Sequence, residues 1–356
     1  MRILAVTNIY PTPATPVLGT YVEQQVQGLR QIGLEVEVFF VDRSGNGMTT
    51  YLRLGQRVAQ RVRELQPHLV HIMYGGIMAN VVTTHVTDRP VVVSFCGSDL
   101  LGEEMGGAVR RVLSGCGTLA SRRAARRANG VIVKSKNLWE ALPGDVRSDS
   151  KVRIIPNGVD LDRFKPLDRN TCRRALGWDP ESFHVVFASA TGDPLKRPQL
   201  ARTAVNILQQ SSGVRCELHI IQRVPHLQIP VWLNASDVLL LTSLREGSPN
   251  IVKEALACDL PVVSVDVGDV KERLEGIEGC YLARPDPTHL AACLRAVLLG
   301  QRRVAGHVKM YGLSLPAVAQ QISSLYEGIV QSGRKPLGPM AERNSLLECC
   351  DESKSD

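Results

Sequence analysis

Between residues 246 and 254 the chain reads Glu-Gly-Ser-Pro-Asn-Ile-Val-Lys-Glu, and short apolar runs lie on both sides of it, at Val238 to Leu241 and at Val262 to Val265. A Gly-Ser-Pro turn followed by an amphipathic run predicts a helix that begins at the turn. We expect Ser248 to cap its first turn and Pro249 to occupy its first position. The stretch therefore predicts strand, turn, helix and strand in succession, as in a parallel sheet wound through helices.

The same stretch predicts an anion site with a carboxylate on each side. The free N–H groups of Asn250 and Ile251 are expected at the helix N-terminus, which favours a phosphate. Glu246 and Glu254 stand eight positions apart, and that length of turn and helix spans roughly 10 Å. Two carboxylates so far apart do not share one proton. They suit a diphosphate that carries a sugar on one side and a ribose on the other.

This stretch and its continuation resemble the paired-glutamate signature of retaining glycosyltransferases, in particular glycosyltransferase family four, also called glycosyl transferases group one. The continuation runs from Ala255 to Val263, and Val267-Gly268-Asp269 follows it. The resemblance spans residues 1 to about 330 and implies an α/β protein of the GT-B class, with two Rossmann-like domains that face an interdomain cleft. It also implies transfer of a sugar from a nucleotide diphosphate sugar to a hydroxyl acceptor (a glycan, a lipid-linked or a small molecule) with retention of anomeric configuration. In this family Glu246 would hold sugar hydroxyls and Glu254 the ribose.

Alternating strand and helix patterns predict six strands in the first half of the chain and five in the second. The predicted strands are residues 3–7, 36–41, 69–73, 91–95, 131–133, 152–155, 185–189, 217–221, 238–241, 262–265 and 280–282. The predicted helices lie near residues 20–32, 51–65, 77–86, 104–128, 197–210, 248–257, 269–274, 287–299 and 314–331. We predict an N-terminal acceptor domain at residues 1–160, a C-terminal donor domain at 161–330 and a disordered tail at 331–356, where the sequence is polar and aperiodic. A Pro-Asn-Gly turn at residues 156–158 marks the junction. The short segment Pro225 to Trp232 replaces a strand-helix unit that relatives usually carry there, which predicts a trimmed second domain.

Two further loops are candidates for the donor site. Lys196 and Arg197 follow the strand predicted at Val185 to Ser189, and cations at the start of a helix are unfavourable unless an anion lies between them. In the resembled family an arginine and a lysine here neutralise the leaving group. Lys196 matches the lysine, Thr191 stands in place of the arginine, and Arg197 is its candidate substitute.

The loop that opens the first helix also belongs to the expected donor side. There, Gly19 and Thr20 follow the first strand, and the resemblance implies a close approach of the Gly19 backbone to the donor. The alternative for Gly19 is a simple turn residue. We expect donor contacts from Gly247, Ser248, Asn250 and Ile251 as well.

On the acceptor side, residues 94–100 resemble the family's His-Gly-Ser-Asp stretch, and Cys96 and Asp99 are its candidate residues. Cys96 stands in place of the histidine and lacks an imidazole, so its backbone carbonyl is the more plausible contact. We expect Cys96 to be a small buried residue and not a nucleophile.

Bulk properties narrow the class of protein. The 356 residues carry a formal net charge of +7, which suits anionic partners, but aromatic residues make up only 4%. Few stacking platforms and no nucleic-acid-binding motif argue against a nucleic-acid partner. Nine cysteines without a Cys-x-x-Cys pair indicate a reducing, cytoplasmic compartment. The eight histidines show no metal-ligand spacing, and His71 is expected to be structural. We therefore predict no metal and no cofactor beyond the sugar nucleotide.

An arginine-rich stretch between residues 109 and 128 predicts a basic helix. Arg122 with Arg126, and Arg123 with Arg127, are like-charge i,i+4 neighbours, which repel each other. An anionic membrane surface or an acidic acceptor would relieve that repulsion, so we predict peripheral binding at the cytoplasmic membrane face. A solvated arginine face is the alternative.

Two other functions stay open at this point. A nucleotide-sugar epimerase of the same fold needs no acceptor. The departures at Thr191 and Cys96 would also fit a scaffold that binds sugar nucleotides with little turnover.

Overall fold

The computed structural model describes residues 1–15, 18–42, 50–102, 108–189, 193–300 and 303–333, without the side chains of residues 108–110. Thr191 and residues 334–356 of the predicted tail therefore lie outside the described residues. Residues 331–333 of that tail complete the last helix and its C-terminal turn.

The first half of the chain forms a six-stranded parallel sheet in the order β2-β1-β3-β4-β5-β6. Its central strands are mostly apolar, although they include the buried polar residues His71 and Ser94, and Ile3 to Val6 are fully buried, because helices cover both faces of such a sheet. The strands are β1 (Arg2–Thr7), β2 (Glu35–Phe40), β3 (Leu69–Ile72), β4 (Val91–Phe95), β5 (Gly130–Val133) and β6 (Val152–Ile154). The helices are α1 (Thr20–Gln31), α2 (Leu54–Leu65), α3 (Gly76–His85), α4 (Ser98–Leu101), α5 (Ala108–Arg127), α6 (Lys136–Glu140) and α7 (Gly144–Arg147).

The second half forms a five-stranded parallel sheet in the order β11-β10-β9-β7-β8. The strands are β7 (Phe183–Ala188), β8 (Cys216–Ile221), β9 (Val238–Leu241), β10 (Val262–Val265) and β11 (Tyr281–Ala283). The helices are α8 (Arg169–Leu176), α9 (Pro198–Ser212), α10 (Ile229–Ala235), α11 (Asn250–Ala257), α12 (Val270–Leu274), α13 (Pro287–Leu299) and α14 (Leu315–Gln331).

The predicted strands match the observed ones to within one or two residues. Between β8 and β9 the chain contains a 3-10 turn at His226–Gln228 and the short helix α10, so this part of the second sheet is as short as the sequence predicts. The helix predicted near residues 104–128 is α5, and residues 103–107 before it lie outside the described part. The prediction missed α4, α6, α7, α8 and α10, each of eight residues or fewer.

The last helix returns to the first sheet. The Val159 N–H donates to the Leu313 carbonyl at 2.8 Å, and the Leu315 N–H donates to the Val159 carbonyl at 3.0 Å. Beyond this double crossing α14 packs on α1, and the Tyr326 hydroxyl is hydrogen-bonded to His71 Nδ1 at 2.5 Å. The segment predicted as the second domain thus ends in a helix that covers the first sheet, and His71 has the structural place expected of it.

Candidate active site

A cleft of about 630 Å³ lies where the carboxyl ends of the strands of both sheets face each other. In open parallel α/β sheets, ligands bind at this edge. The first half of the chain contributes Ile9, Leu18, Gly19, Tyr21, Tyr74, Cys96, Gly97, Ser98, Leu101, Gly102 and Asn157. The second half contributes Ala188, Ser189, Asp193, Leu195, Lys196, Ile221 and residues 245–251.

The two halves touch at the floor of the cleft. A Cβ atom placed on Gly247 would lie 2.5 Å from the Cys96 carbonyl oxygen, which real Cβ atoms do not tolerate, so only glycine fits. Beside this contact the Asn137 side chain donates from Nδ2 to the Glu246 carbonyl at 2.9 Å. The loops after β4 and β9 are therefore held in direct contact.

The two residues predicted as catalytic lie side by side. Lys196 Nζ is 2.5 Å from Glu246 Oε1, and the two side chains are 24% and 15% exposed. Backbone contacts fix the lysine: the Leu244 N–H donates to the Leu195 carbonyl at 2.7 Å, and the Thr242 hydroxyl donates to the Lys196 carbonyl at 2.7 Å. The loop after β7 is thus tied to the end of β9, so the cation and the carboxylate reach the cleft together.

Arg197 is not one of the described residues that line the cleft. Its backbone is left-handed, with φ of 50°, and its guanidinium donates to the Thr242 carbonyl at 2.6 Å and to the Ser243 carbonyl at 3.0 Å. The residue predicted to replace the family's arginine therefore braces the end of β9. Arg245, which the sequence analysis did not single out, lines the cleft instead.

The N-terminus of α11 opens into the cleft, as predicted, but Ser248 does not cap it. The first intrahelical bond runs from the Val252 N–H to the Pro249 carbonyl, so the N–H groups of Asn250 and Ile251 precede it. Both residues line the cleft. Pro249 is the N-cap residue, because the helix begins at Asn250 and not at Pro249.

The Ser248 hydroxyl has other partners. It donates to Asp269 Oδ2 at 2.9 Å and accepts from Lys253 Nζ at 3.1 Å. Lys253 also donates to the Asn157 carbonyl at 2.9 Å, and burial lowers the pKa of this ammonium to about 7. Lys253 thus links α11 to the Pro-Asn-Gly turn between the sheets, and Ser248 links this lysine to Asp269.

Glu254 lies about one turn along α11, and it is not among the residues that line the cleft. Its side chain is 11% exposed, and Oε1 is 3.0 Å from His226 Nε2. His226 comes from the 3-10 turn between β8 and β9, and its ring lies 5.4 Å from that of Phe164. The sequence did not indicate His226, because a separation of 28 positions from Glu254 does not predict a contact between the two side chains.

The structure requires a glycine at position 19 for more than a simple turn. Its φ is 78°, and a Cβ there would lie 2.6 Å from the Ile9 carbonyl group. Thr20 begins α1, whereas the next residue, Tyr21, lines the cleft together with Gly19. The glycine lets the backbone of this loop approach the end of β1 closely.

On the acceptor side, Cys96 lines the cleft, and burial raises the pKa of its thiol to about 12. The thiol is therefore protonated at neutral pH, as expected for a residue that is not a nucleophile. Tyr74 and Ser98 line the same part of the cleft, and their hydroxyls are 2.8 Å apart.

Asp99 is buried beneath this loop and does not face an acceptor. Its carboxylate accepts backbone N–H groups from Cys96 at 3.0 Å, Gly97 at 2.8 Å and Gly75 at 2.9 Å. The residue predicted on the acceptor side therefore shapes the loop that carries Cys96.

Outside the cleft, the predicted basic helix is α5. Arg122, Arg123, Arg126 and Arg127 are all exposed on α5, although Arg126 pairs with Asp145 at 2.7 Å and Arg127 donates to the Asn80 side chain at 2.8 Å.

The sequence showed no metal-ligand spacing, yet β7 and β8 bring His184, Glu217 and His219 together. His184 is more than thirty positions from Glu217 and His219, so the sequence spacing does not indicate three ligands. Glu217 and His219 stand at alternate positions of one strand, and this pair was the part of the cluster that the sequence could have indicated.

Comparison with known proteins gives the family. A model of Glycosyltransferase Family 4 matches residues 18–163, and a model of Glycosyl transferases group 1 matches residues 180–299. The chain is 27% identical over 331 residues to the putative teichuronic acid biosynthesis glycosyltransferase TuaC of Bacillus subtilis, covering 76% of this chain and 82% of that one. It is 29% identical over 194 residues to a D-inositol 3-phosphate glycosyltransferase of Geodermatophilus obscurus, over 43% of each.

Solved structures share the fold over nearly the whole chain. Sucrose-phosphate synthase from Thermosynechococcus elongatus superposes with a TM-score of 0.74 at 17% identity, over 93% of this chain and all of that one. Anabaena HepE in complex with UDP superposes with a TM-score of 0.66 at 19% identity, over 92% of this chain and all of that one. With two domains of Rossmann type around one cleft and family matches on both, the chain belongs to glycosyltransferase family 4, among the group 1 glycosyl transferases of GT-B fold.

Proposed function

We propose that this glycosyltransferase moves a sugar from a nucleotide diphosphate sugar to a hydroxyl group of an acceptor, with retention at the anomeric carbon. The observation that carries the proposal is the meeting of Lys196, Glu246 and the N-terminus of α11 in one cleft. HepE, which shares the fold, has been solved with UDP and with UDP-glucose, and this supports a uridine nucleotide as the first donor to test. Retention is proposed from membership of family 4.

The diphosphate would lie against the N–H groups of Asn250 and Ile251, because a helix N-terminus attracts anions. Lys196 would leave Glu246 and neutralise the charge that develops on the departing diphosphate, which is the main catalytic effect in such a site. Glu246 would then be free to accept hydrogen bonds from sugar hydroxyls. Glu254, with His226 beside it, would hold the ribose. With the ammonium and the helix N-terminus supplying positive charge, we propose that transfer needs no metal ion.

The acceptor would enter from the first-sheet side, past Tyr74 and Ser98. Their paired hydroxyls and the Cys96 carbonyl are suited to orient a sugar hydroxyl toward the donor. TuaC is named for the biosynthesis of a polysaccharide, teichuronic acid. This supports a growing glycan or a lipid-linked glycan as the acceptor, although a small hydroxyl compound stays an alternative.

We further propose that the protein binds the cytoplasmic face of an anionic membrane through α5. Arg122, Arg123, Arg126 and Arg127 lie on its exposed face, and the same helix exposes Leu119 by 47% and Val112 by 65%. Basic and apolar side chains on one helix favour the headgroup region of a bilayer. No helix of the described residues combines the length and the apolar composition needed to cross one.

A panel of nucleotide sugars, each incubated with and without glycan acceptors, tests the proposed reaction. We expect release of nucleoside diphosphate that requires an acceptor, together with an α-linked product from an α-linked donor. Glu246→Gln serves as the impaired control. Conversion of the donor without an acceptor would indicate an epimerase instead, and tight donor binding without turnover on any acceptor would indicate a binding scaffold.

A further inference from the structure

Three potential metal ligands converge on β7 and β8, and none of them lines the cleft. His184 Nδ1 is 2.8 Å from His219 Nε2, and Glu217 Oε2 is 3.9 Å from the first nitrogen and 3.7 Å from the second. Parallel pairing sets His184 directly beside Glu217 and Val186 beside His219. Alternate residues of one strand share a face, so the sheet itself holds the three side chains together.

The surroundings of the three side chains orient their ligand atoms. His184 Nε2 lies 2.6 Å from the Asp179 carbonyl oxygen, which accepts its proton and leaves the lone pair of Nδ1 directed at the cluster. Arg215 lies 3.1 Å from Glu217 Oε1, so the other carboxylate oxygen is the one turned toward the histidines. Hydrogen bonds of this kind on the outer atoms of the ligands are usual at metal sites in proteins.

Two tryptophan rings pack against one side of the cluster. The Trp178 ring stacks on the His219 imidazole with centroids 3.6 Å apart and planes inclined by 7°. The Trp232 ring meets the same imidazole edge-on, at 6.4 Å. His219 is therefore held in one orientation by packing and not only by its polar neighbours.

We propose that His184, Glu217 and His219 form a binding site for a divalent transition metal ion, with Zn²⁺ the best match. Two nitrogens and one carboxylate oxygen are a set that Zn²⁺ uses, at about 2.0–2.2 Å from each ligand, which puts neighbouring ligand atoms of a tetrahedron about 3.3 Å apart. The nitrogens need to separate by about 0.5 Å, and the carboxylate needs to approach by about as much. A water molecule would complete the coordination.

Three protein ligands and a water molecule are more typical of a catalytic zinc ion than of a structural one. Because none of the three side chains lines the cleft, we expect this ion to act on stability and not on sugar transfer. Strand β8 lies at the edge of the second sheet, and the ion would bind it to β7 through side chains in addition to the backbone ladder. Along the strands, His184 lies four positions before Ala188 at the cleft, about 13 Å, and His219 lies two positions before Ile221 at the cleft, about 7 Å. The ion would therefore stabilise the second sheet without contact with the donor or the acceptor.

The test begins with the full chain after removal of metal ions by a chelator. Calorimetric titration with Zn²⁺ alone should show one ion per chain, and Zn²⁺ should raise the melting temperature with increasing concentration. Titration with Co²⁺ should produce visible absorption bands of a tetrahedral ion and quench the fluorescence of the nearby tryptophans. The absence of stoichiometric binding would leave a hydrogen-bonded histidine pair and would overturn the proposal.

Three variants locate the ion. Glu217→Gln and His219→Gln should each weaken Zn²⁺ binding at least tenfold and abolish the Co²⁺ bands. His85→Gln changes an exposed histidine of α3 and should bind as the wild type does. If His219→Gln loses the packing of Trp178 and unfolds, the nearly isosteric Glu217→Gln decides alone. Unchanged affinity in a folded Glu217→Gln or His219→Gln variant would contradict the site.

Discussion

Lys196 Nζ and Glu246 Oε1 form an ion pair at 2.5 Å across the mouth of the donor site. The two partners come from the loops after β7 and β9, which the Leu244–Leu195 backbone bond holds together. A diphosphate must therefore compete with a carboxylate for this lysine. When no donor is bound, the Glu246 carboxylate balances the charge of the Lys196 ammonium and holds it at the cleft.

Lys196→Ala should reduce turnover more than ground-state binding of the donor. The charge of the ammonium interacts most strongly with the diphosphate as the glycosidic bond breaks, so we expect kcat to fall about 10²- to 10³-fold, as for other lost transition-state donors. Steady-state kinetics with the best donor, beside calorimetry with the nucleoside diphosphate, separate the two effects. Lys271→Ala removes an exposed lysine of α12 as the control. Equal losses in affinity and in kcat/KM would make Lys196 only an anchor.

Glu254→Ala should weaken nucleotide binding. A charge-assisted hydrogen bond contributes roughly 1.5–3 kcal/mol, which corresponds to about a tenfold to hundredfold change in Kd. Calorimetry with the nucleoside diphosphate measures it. His226→Gln should cost less than Glu254→Ala, because it alters the partner of the carboxylate and leaves the carboxylate in place. A folded Glu254→Ala variant with wild-type affinity would remove this residue from the ribose site.

Gly247→Ala should destabilise the protein and impair the donor site together. The new methyl group would lie 2.5 Å from the Cys96 carbonyl oxygen and 2.9 Å from Leu138, and overpacking of this kind costs about 1–3 kcal/mol. Denaturant unfolding and donor titration measure the two effects. Gly328→Ala, on α14 with open space around the added carbon, should instead be neutral or stabilising. A fully stable, fully active Gly247→Ala protein would show that the two loops separate without cost.

Changing Arg122, Arg123, Arg126 and Arg127 to glutamine should abolish binding to anionic liposomes. Each basic residue near an anionic leaflet contributes about 1 kcal/mol, and salt should release the protein because exposed charges are screened over roughly 8 Å at physiological ionic strength. Since Arg126 and Arg127 already have protein partners, the double variant of Arg122 and Arg123 should account for more than half of the loss.

Co-sedimentation with and without anionic lipid measures this binding. Arg174→Gln with Arg202→Gln changes two exposed arginines beside the second sheet as the matched control. Equal sedimentation of the wild type and the fourfold variant would show that these arginines do not bind the membrane, and would leave contact with solvent or with an acidic acceptor as their role.

His71 should make stability depend on pH. Burial lowers its pKa to about 3, whereas an unfolded histidine titrates near 6.5. Between these values the unfolded chain binds a proton that the folded chain does not, so stability is complete above about pH 6.5 and is lost progressively as the pH falls toward 3. His219, whose pKa burial lowers to about 4, adds to the same loss.

Melting curves at about pH 7.5 and about pH 5 measure the effect. His71→Phe should lower the melting temperature at neutral pH, because it removes the bonds to Ser94 and Tyr326. It should also reduce the difference between the two pH values, which His85→Gln should not do. An unchanged difference in His71→Phe would assign the acid sensitivity to other groups.

The architecture and the centre of the cleft could be predicted from the sequence because each depends on local patterns. Strands buried on both faces are apolar runs, and the segment from 246 to 254 contains turn, helix start and carboxylates in one stretch. What could not be predicted depends on side-chain direction. Lys196 and Arg197 are adjacent in sequence, but the left-handed backbone at Arg197 turns its guanidinium onto β9.

Distant partners were also beyond prediction. Ser248 looked like a helix cap, yet Asp269 and the buried Lys253 take its hydroxyl. Asp99 matched a family position, yet three backbone N–H groups surround its carboxylate. The contact of His226 with Glu254 and the cluster around His219 form only when separate strands and turns meet in the fold.

The double crossing at Val159 and Leu315 makes the second sheet an insertion within the first structural unit. A chain cut after residue 160 would lose α14, and with it the cover over α1 and the hydroxyl that meets His71. Ile329, which packs against Gly130, would leave an apolar gap beside β5. The first unit should therefore fold on its own only if residues 315–331 are rejoined to it through a linker.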